Sequence, residues 1–469
     1  MARSPSALTF NGSASDTIAV ASPFWSASRY DVSGIALGES MDDQGWFDYN
    51  PIRWMHKNIV PNLIQMNVAK IGHGKTTLVD HIAAMYSAIQ IGDNPEYEMR
   101  VWADNIRKLH GSIELGRLAD FFDSTVVGSA GRRVNPLNRG YMLSRDQQLE
   151  FIEDAMVIAN KGRPLERHLP YAISVATEWM YREHAEDASF DTLGELMRVL
   201  DLDAEAGYRA HRSLSSRLGK ELSPKLLEIT QRSGGVNPED FRNDAFRGYE
   251  LLDRLTNQFG GRFGGLGSDA EELKQRAVVY DLSDLTDEAI TLNQQFNWLV
   301  RNNANATQNR DFMFQIDIHD ENWKLWNYLT YAKAMFAYLK QIRSYETLVI
   351  MNTHRPNDYQ AIGGDQGELA TKMLSDVGMW FVGRQEPADA FEIRQLLGLN
   401  AVEERRLTTL TKGQWGIKLG TDRMVFINTS SVYTSMLQQM SFSNQALNVL
   451  LNRSNRYDEE RAFQEEAAS

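Results

Sequence analysis

The sequence has no cysteine, only 12 prolines in 469 residues, and no run approaching 18 consecutive apolar residues. The lack of cysteine removes disulfides, thiolate metal sites and cysteine nucleophiles together, and fits a reducing cytoplasm. The lack of a long apolar run removes a transmembrane helix. The opening "MARSPSALTFNGSASDTIAVASPFW" is too polar and broken for a secretory signal, so 1–28 reads as a flexible or loosely docked tail. Cations are also in short supply, with 49 lysines and arginines against 62 acids and a net charge of −13. A protein gripping nucleic acid over its general surface needs phosphate-neutralising cations. This chain is therefore expected to touch DNA only locally, for instance through loops lining a ring's pore, and its acidity serves solubility. The nine histidines include no H-x-x-x-H pair, which speaks against a zinc hydrolase.

What is present is strand–helix alternation, the pattern of a parallel sheet. "IALGESMDDQGWFDYNP" reads as a hairpin, "NLIQMNVA" (62–69) as a buried strand, and "KTTLVDHIAAMYSAI" as a helix with Leu78, Ile82, Met85 and Ile89 on one face. "EYEMRVWAD" and "DSTVVGSA" read as further strands flanking a helical "IRKLHGSIELGRLADFF". From 163 to 260 the pattern is helical throughout, with Leu193, Leu196, Met197 and Leu200 at helical spacing after a capping serine or aspartate. Strands resume at "RAVVYDLSDL", "DFMFQIDIHD", "ETLVIMNTH" and "VGMWFVGR". The expected plan is an α/β domain formed by 29–162 and 261–450, interrupted by an all-helical insertion at 163–260 and ended by a charged tail at 451–469.

"AKIGHGKTT" (69–77) has the shape of a phosphate-binding loop, G-x-x-x-x-G-K-[ST], with Ala69 in place of the first glycine. Cradling phosphate needs inward-turned backbone N–H groups followed by a helix N-terminus. Ala69, Lys70, Ile71, Gly72, His73, Gly74, Lys75, Thr76 and Thr77 are thus the candidate nucleotide-binding residues. Gly72 and Gly74 supply the dihedral freedom, Lys75 reaches the β- and γ-phosphates, and the Thr76 hydroxyl faces Mg²⁺. Alanine is acceptable at 69 provided its φ stays negative. No N-K-x-D follows to grip guanine, the one downstream Asn-Lys pair being "ANKGRP", so the nucleotide expected is ATP. "FQIDIHDENWKLW" offers the acids: Asp320 to hold the Mg²⁺ shell through water, and Glu321 to orient or deprotonate the attacking water. Gln315, Asp317 and His319 make that strand unusually polar for a central one, and Asp317 is a rival metal-shell residue. "LVIMNTHRPNDY" sets Thr353 and His354 at a strand tip, where a polar group can sense the γ-phosphate or the water.

In order, "AKIGHGKTT", "RVNPL", "FGGRFGGLG…VVYDLSDL", "DENWKLW", "NTHRPNDY", "DVGMWFVGRQEPADA" and "TKGQWGIKLGTDRM" resemble the ATPase domain of the conjugative-transfer, type IV secretion ATPases. That family lies in the FtsK–HerA branch of RecA-like motors, and the resemblance covers about residues 30–440. It implies a RecA-like P-loop fold with a mostly parallel sheet and an all-helical subdomain, and catalysis by Lys75, Asp320, Glu321 and His354, the last in the place of a sensor glutamine. It also implies a homohexamer in which a neighbour's arginine, Arg384 or Arg423, reaches the nucleotide. The expected setting is cytoplasmic or peripheral at the inner membrane face, beside membrane-associated secretion or conjugation components. The large N-terminal domain by which many members join that machinery is expected to have no counterpart. The function implied is an ATPase energising transfer of protein or DNA. The competing readings are a HerA-type duplex-DNA translocase or packaging ATPase, and a scaffold that binds nucleotide without turnover.

Overall fold

The computed structural model describes residues 35–42, 45–93, 99–106, 108–109, 112–113, 115–122, 124, 126–127, 135–138, 141, 143–201, 238–258, 263, 277–307, 314–342 and 346–431. Both expected tails and all of the glycine-rich 259–269 except Phe263 lie outside them. Strands β1 (Ile35–Ser40) and β2 (Trp46–Tyr49) form the expected antiparallel pair. Helix α1 (Pro51–His56), β3 (Ile64–Val68) and α2 (Lys75–Asp93) follow. Leu78 and Ile82 of α2 are buried and Met85 packs against the same core, as the periodicity predicts; the side chain of Ile89 is outside the description. Next come β4 (Arg100–Asn105), β5 (Lys108–Leu109), β6 (Ser112–Ile113), α3 (Gly116–Phe121) and β7 (Val126–Val127). The segment read as one helix is instead a small hairpin followed by a short helix, with Lys108 paired to Ile113.

Among the described residues four helices follow, α4 (Arg145–Ala159), α5 (Leu169–Glu183), α6 (Phe190–Asp201) and α7 (Pro238–Gln258), while 202–237, also expected to be helical, lie outside them. Ser189 caps α6, its hydroxyl accepting from the Thr192 amide at 3.1 Å. Leu193, Leu196 and Met197 face the helical core. That core also holds Leu137, Tyr141 and Phe151, and Leu292 and Phe296 from beyond 260. The helical layer therefore reaches past the 163–260 bounds on both sides, because burial of α4 and of a later helix closes its apolar faces.

The second half supplies β8 (Ala277–Asp281), α8 (Asp287–Thr307), β9 (Gln315–Asp320), a 3₁₀ turn Asn322–Asn327, α9 (Leu329–Gln341) and β10 (Thr347–Thr353). Then follow α10 (Asn357–Gln360), α11 (Gly364–Asp376), β11 (Met379–Val382), α12 (Pro387–Leu397), α13 (Ala401–Thr409), β12 (Gln414–Leu419) and β13 (Val425–Asn428). Eleven strands form one sheet in the order β2-β1-β13-β12-β11-β3-β10-β9-β4-β8-β7. From β11 to β7 all neighbours are parallel, while β12, β13, β1 and β2 add an antiparallel edge. The two sequence halves thus share one sheet, with β10 seated between β3 and β9. Because the three run parallel, the segments following them emerge at one edge, where ligands of open α/β sheets bind.

The polar residues of the central strands are buried but paired. On β9 and β4, Asp317 and Asp104 both meet the guanidinium of Arg301 from α8, the Asp104 contact being 2.9 Å. His319 stands 3.3 Å from Asp104 and 3.2 Å from Asp317, and the Tyr338 hydroxyl donates to Asp317 at 2.8 Å. Arg301 is 1% exposed and also lies over the Trp102 and Tyr280 rings. Two cations therefore balance two carboxylates, which is how buried charge becomes tolerable. The other face of α8 carries Leu292, Phe296 and Val300 into the helical core, so this helix joins the sheet to the helical layer.

Burial disfavours the His319 imidazolium, but the Asp317 and Asp104 carboxylates outweigh it and raise its pKa from 6.5 to about 9. A folded-state pKa above the unfolded value stabilises the fold fully below about 6.5 and ceases to do so as pH rises through about 9. Urea midpoints are therefore expected to fall between pH 6.5 and 9.5 in the unsubstituted chain and to change much less over that window in His319→Gln.

Candidate functional site

The loop between β3 and α2 takes its shape from two glycines. Gly72 has φ 78° and Gly74 φ 103°, in the left-handed region that costs an L side chain energy. Ala69 does not share that conformation, so alanine in place of glycine imposes no backbone strain. It is buried, and its amide donates to the Thr353 carbonyl of β10 at 3.3 Å. The rest of the loop is anchored sideways. Lys70 pairs with Glu386, while Ile71 projects outward at 76% exposure. His73 is buried edge-on against Trp415, with ring centroids 5.3 Å apart. Its Nε2 lies 3.1 Å from both the Arg384 amide nitrogen and the Gln414 carbonyl oxygen, and burial, partly offset by that carbonyl, holds its pKa below the ordinary histidine value. The space is made by Gly383, where a Cβ would lie 2.3 Å from the His73 ring and 2.8 Å from the Ala69 methyl. The side chain of His73 thus fastens the loop to β11 and β12 rather than facing a phosphate.

At the edge where β3, β9 and β10 end, three residues far apart in sequence converge. The Lys75 ammonium donates to the Ala69 carbonyl at 2.7 Å and lies 3.0 Å from Nδ1 of His354. Nε2 of His354 is 2.8 Å from Oε1 of Glu321, which is itself 3.9 Å from Lys75. Nδ1 of His354 also lies 3.1 Å from the Ala69 carbonyl, so lysine, imidazole and that carbonyl form one polar cluster beside Glu321. Lys75 and Glu321 are 8% and 2% exposed, so these charges meet in a partly dry setting. Asp320 is buried as the last residue of β9, and Thr76 is buried in the first turn of α2. Thr77 follows Thr76 on that turn. Thr353 ends β10, its hydroxyl donating to the Arg355 carbonyl at 3.3 Å.

Glu321 adopts φ 54° and ψ 31°, one of four described non-glycine residues with positive φ. Its amide donates to the Asn352 carbonyl at 3.0 Å, and Trp323 returns its indole N–H to Oε2 at 3.0 Å. Asn352 pairs in register with both Asn67 and Asp320, and its Oδ1 accepts from the Asn67 amide at 2.9 Å. A chain of side-chain bonds continues from Asn67 through Gln65 to Tyr49 beneath the loop. Burial, and then the nearby Glu321 carboxylate, raise the Asp358 pKa. Trp323, Asn352 and Asp358 were not singled out from the sequence; polar residues at the tips of apolar strands were the available signal.

Three other candidates stand elsewhere. Asp317 is committed to Arg301, His319 and Tyr338 on the opposite face of β9 from Asp320, which argues against a metal role. Arg384 is exposed beside the loop, through its amide bond to His73. Arg423 is exposed at the other edge of the sheet, in the β12–β13 turn whose Gly420 bonds Gly378 ahead of β11. Among the described residues no cluster of three His, Asp or Glu could hold a metal unaided. The donor set suits Mg²⁺, which takes one or two protein oxygens and completes its octahedron with water and substrate phosphate.

No protein-family model and no curated protein matches the sequence. Among solved structures, VirB4 of Thermoanaerobacter pseudethanolicus superposes with a TM-score of 0.61 at 16% identity, over 87% of this chain and 99% of that one. The plasmid coupling protein TrwB in complex with ADP and Mg²⁺ gives 0.49 at 10% identity, over 82% and 89% of the two chains. The likeness to VirB4 shows a shared fold. No helix among the described residues is long and apolar enough to cross a membrane.

Proposed function

We propose that this chain is an ATP-hydrolysing motor that energises transfer of macromolecules, protein or DNA, through a conjugation or type IV secretion-like apparatus. One observation carries it: within a fold shared with VirB4, a glycine loop, the Lys75 ammonium and the Glu321 carboxylate meet at one sheet edge. Backbone N–H groups of the loop and the N-terminus of α2 bind the phosphates, and Lys75 neutralises charge on the terminal ones. Mg²⁺, when bound, supplies further charge neutralisation, supported by the Thr76 hydroxyl and, through water, by Asp320. Glu321 takes the proton of the water that attacks the terminal phosphorus, and His354 reports the state of Lys75 to it. ATP is favoured over GTP because the Asn-Lys pair, Asn160–Lys161, sits in the helical layer, with Asn160 bonded to Arg247. The chain works as a homohexamer in the cytoplasm or at the inner membrane face, beside membrane-associated partners, with Arg384 or Arg423 completing a neighbour's site.

The test is turnover of the purified chain with ATP, with and without Mg²⁺ and duplex DNA, together with its mass in each state. Mg²⁺-dependent hydrolysis that is indifferent to DNA is the expected result. Stimulation by duplex DNA that weakens with salt selects a translocase instead. Tight ATP binding without turnover, even in the assembled oligomer, selects a scaffold.

A further inference from the structure

Glu321 is held in a conformation that a glutamate does not choose by itself. A left-handed backbone is costly for an L residue, and such strain persists where surrounding contacts over-determine it. The contacts here are visible. The Glu321 amide is tied to β10, and the chain turns at once into the 3₁₀ segment Asn322–Asn327. That turn is pinned from inside: the Tyr359 hydroxyl donates to Asn322 at 2.6 Å, and Leu325 and Trp326 are buried in the sheet core. The outcome is that Trp323, two residues after Glu321, folds back to place its indole N–H on Oε2. The Trp323 ring packs against the same core, so the donor is fixed by apolar contact and not only by its own bond.

We propose that Trp323 is the positioning residue of the proposed hydrolysis: it clamps one carboxylate oxygen of Glu321 and so presents the other to the attacking water. The division of labour follows from the two oxygens' partners. Oε2 meets Trp323, while Oε1 faces His354 and Lys75, the side on which the phosphate arrives. An indole N–H suits the task because it donates only, so it favours the charged carboxylate and cannot take the proton in place of Glu321. Without the clamp the carboxylate rotates about its terminal torsion, which is soft, and the near-attack alignment of base and water is lost. Binding of the nucleotide, which relies on the loop and Lys75, does not pass through Trp323.

The inference rests on the ATPase reading, and the experiment separates the two. Steady-state and single-turnover hydrolysis are measured for the unsubstituted chain, Trp323→Phe, Glu321→Gln and the double variant, with ADP affinity and thermal midpoint for each. Trp323→Phe, which keeps the ring but not the donor, is expected to lower kcat about tenfold with KM and ADP affinity within about twofold. On the Glu321→Gln background the same change is expected to cost nothing further, since two residues acting through one step are not additive. Trp323→His, with a ring N–H restored, is expected to recover part of the rate. An active chain whose Trp323→Phe variant matches it, or loses equally with and without Glu321, overturns the positioning role alone. A chain that never turns over ATP overturns the hydrolysis reading and this role with it.

Discussion

Glu321→Gln is expected to bind Mg·ATP within a few-fold of the unsubstituted chain and to hydrolyse it at least about 100-fold more slowly, the low end of what a positioned general base contributes. Glutamine keeps the side-chain length and an oxygen for Trp323, but it cannot accept the water's proton at neutral pH. Lys75→Ala differs in kind. It removes the ammonium that lies 2.7 Å from the Ala69 carbonyl and is aimed at the phosphate cradle, so affinity and turnover fall together. Radiolabelled or coupled phosphate release with parallel calorimetric binding separates the two signatures. Unchanged turnover in both variants would reject the assignment of the site.

Arg301→Met is expected to cost on the order of 3–5 kcal/mol, because it strands two carboxylates in the interior. A domain's whole stability is about 5–15 kcal/mol, so the variant should accumulate as insoluble chain or melt well below the unsubstituted one. Arg301→Lys should rescue little. Arg301 reaches Asp104 through one guanidinium nitrogen and Asp317 through the other, and an ammonium lacks that fork. The triple change Arg301→Met, Asp104→Leu, Asp317→Leu should recover much of the loss, since His319, deprived of both carboxylates, stays neutral and no buried charge is left to desolvate. Soluble yield and urea midpoints check this; an Arg301→Met chain of ordinary stability would show that the cluster is not what holds α8 to the sheet.

The phosphate loop could be read from sequence because its chemistry is local: two glycines, a lysine and a threonine within five residues dictate a cradle and a helix start. The place of the "DENW" acids at the end of a strand was legible for the same reason. The sheet order was legible only as a class. Nothing in 69–77 says that His73 will be seated against Trp415 and Gly383, over 300 residues away. The polarity of β9 read as a weakness because its partner, Arg301, arrives on a separate helix. Asp317 consequently stood as a rival to Asp320, although the alternation of a strand sends the two to opposite faces. The contribution of α4 and α8 to the helical core is not visible in composition, because α8 carries one face for that core and another for the sheet. The hairpin at 108–113 was hidden by residues that also suit a helix.

The most direct measurement is a structure of the full chain with Mg²⁺ and a non-hydrolysable ATP analogue. It should show the phosphates wrapped by residues 69–77, with the Lys75 ammonium moved off His354 onto the terminal phosphate. Oε1 of Glu321 should then stand within hydrogen-bonding reach of a water in line with that phosphorus. An analogue bound elsewhere, or one bound at the loop with Glu321 turned away from the terminal phosphate, would contradict the account.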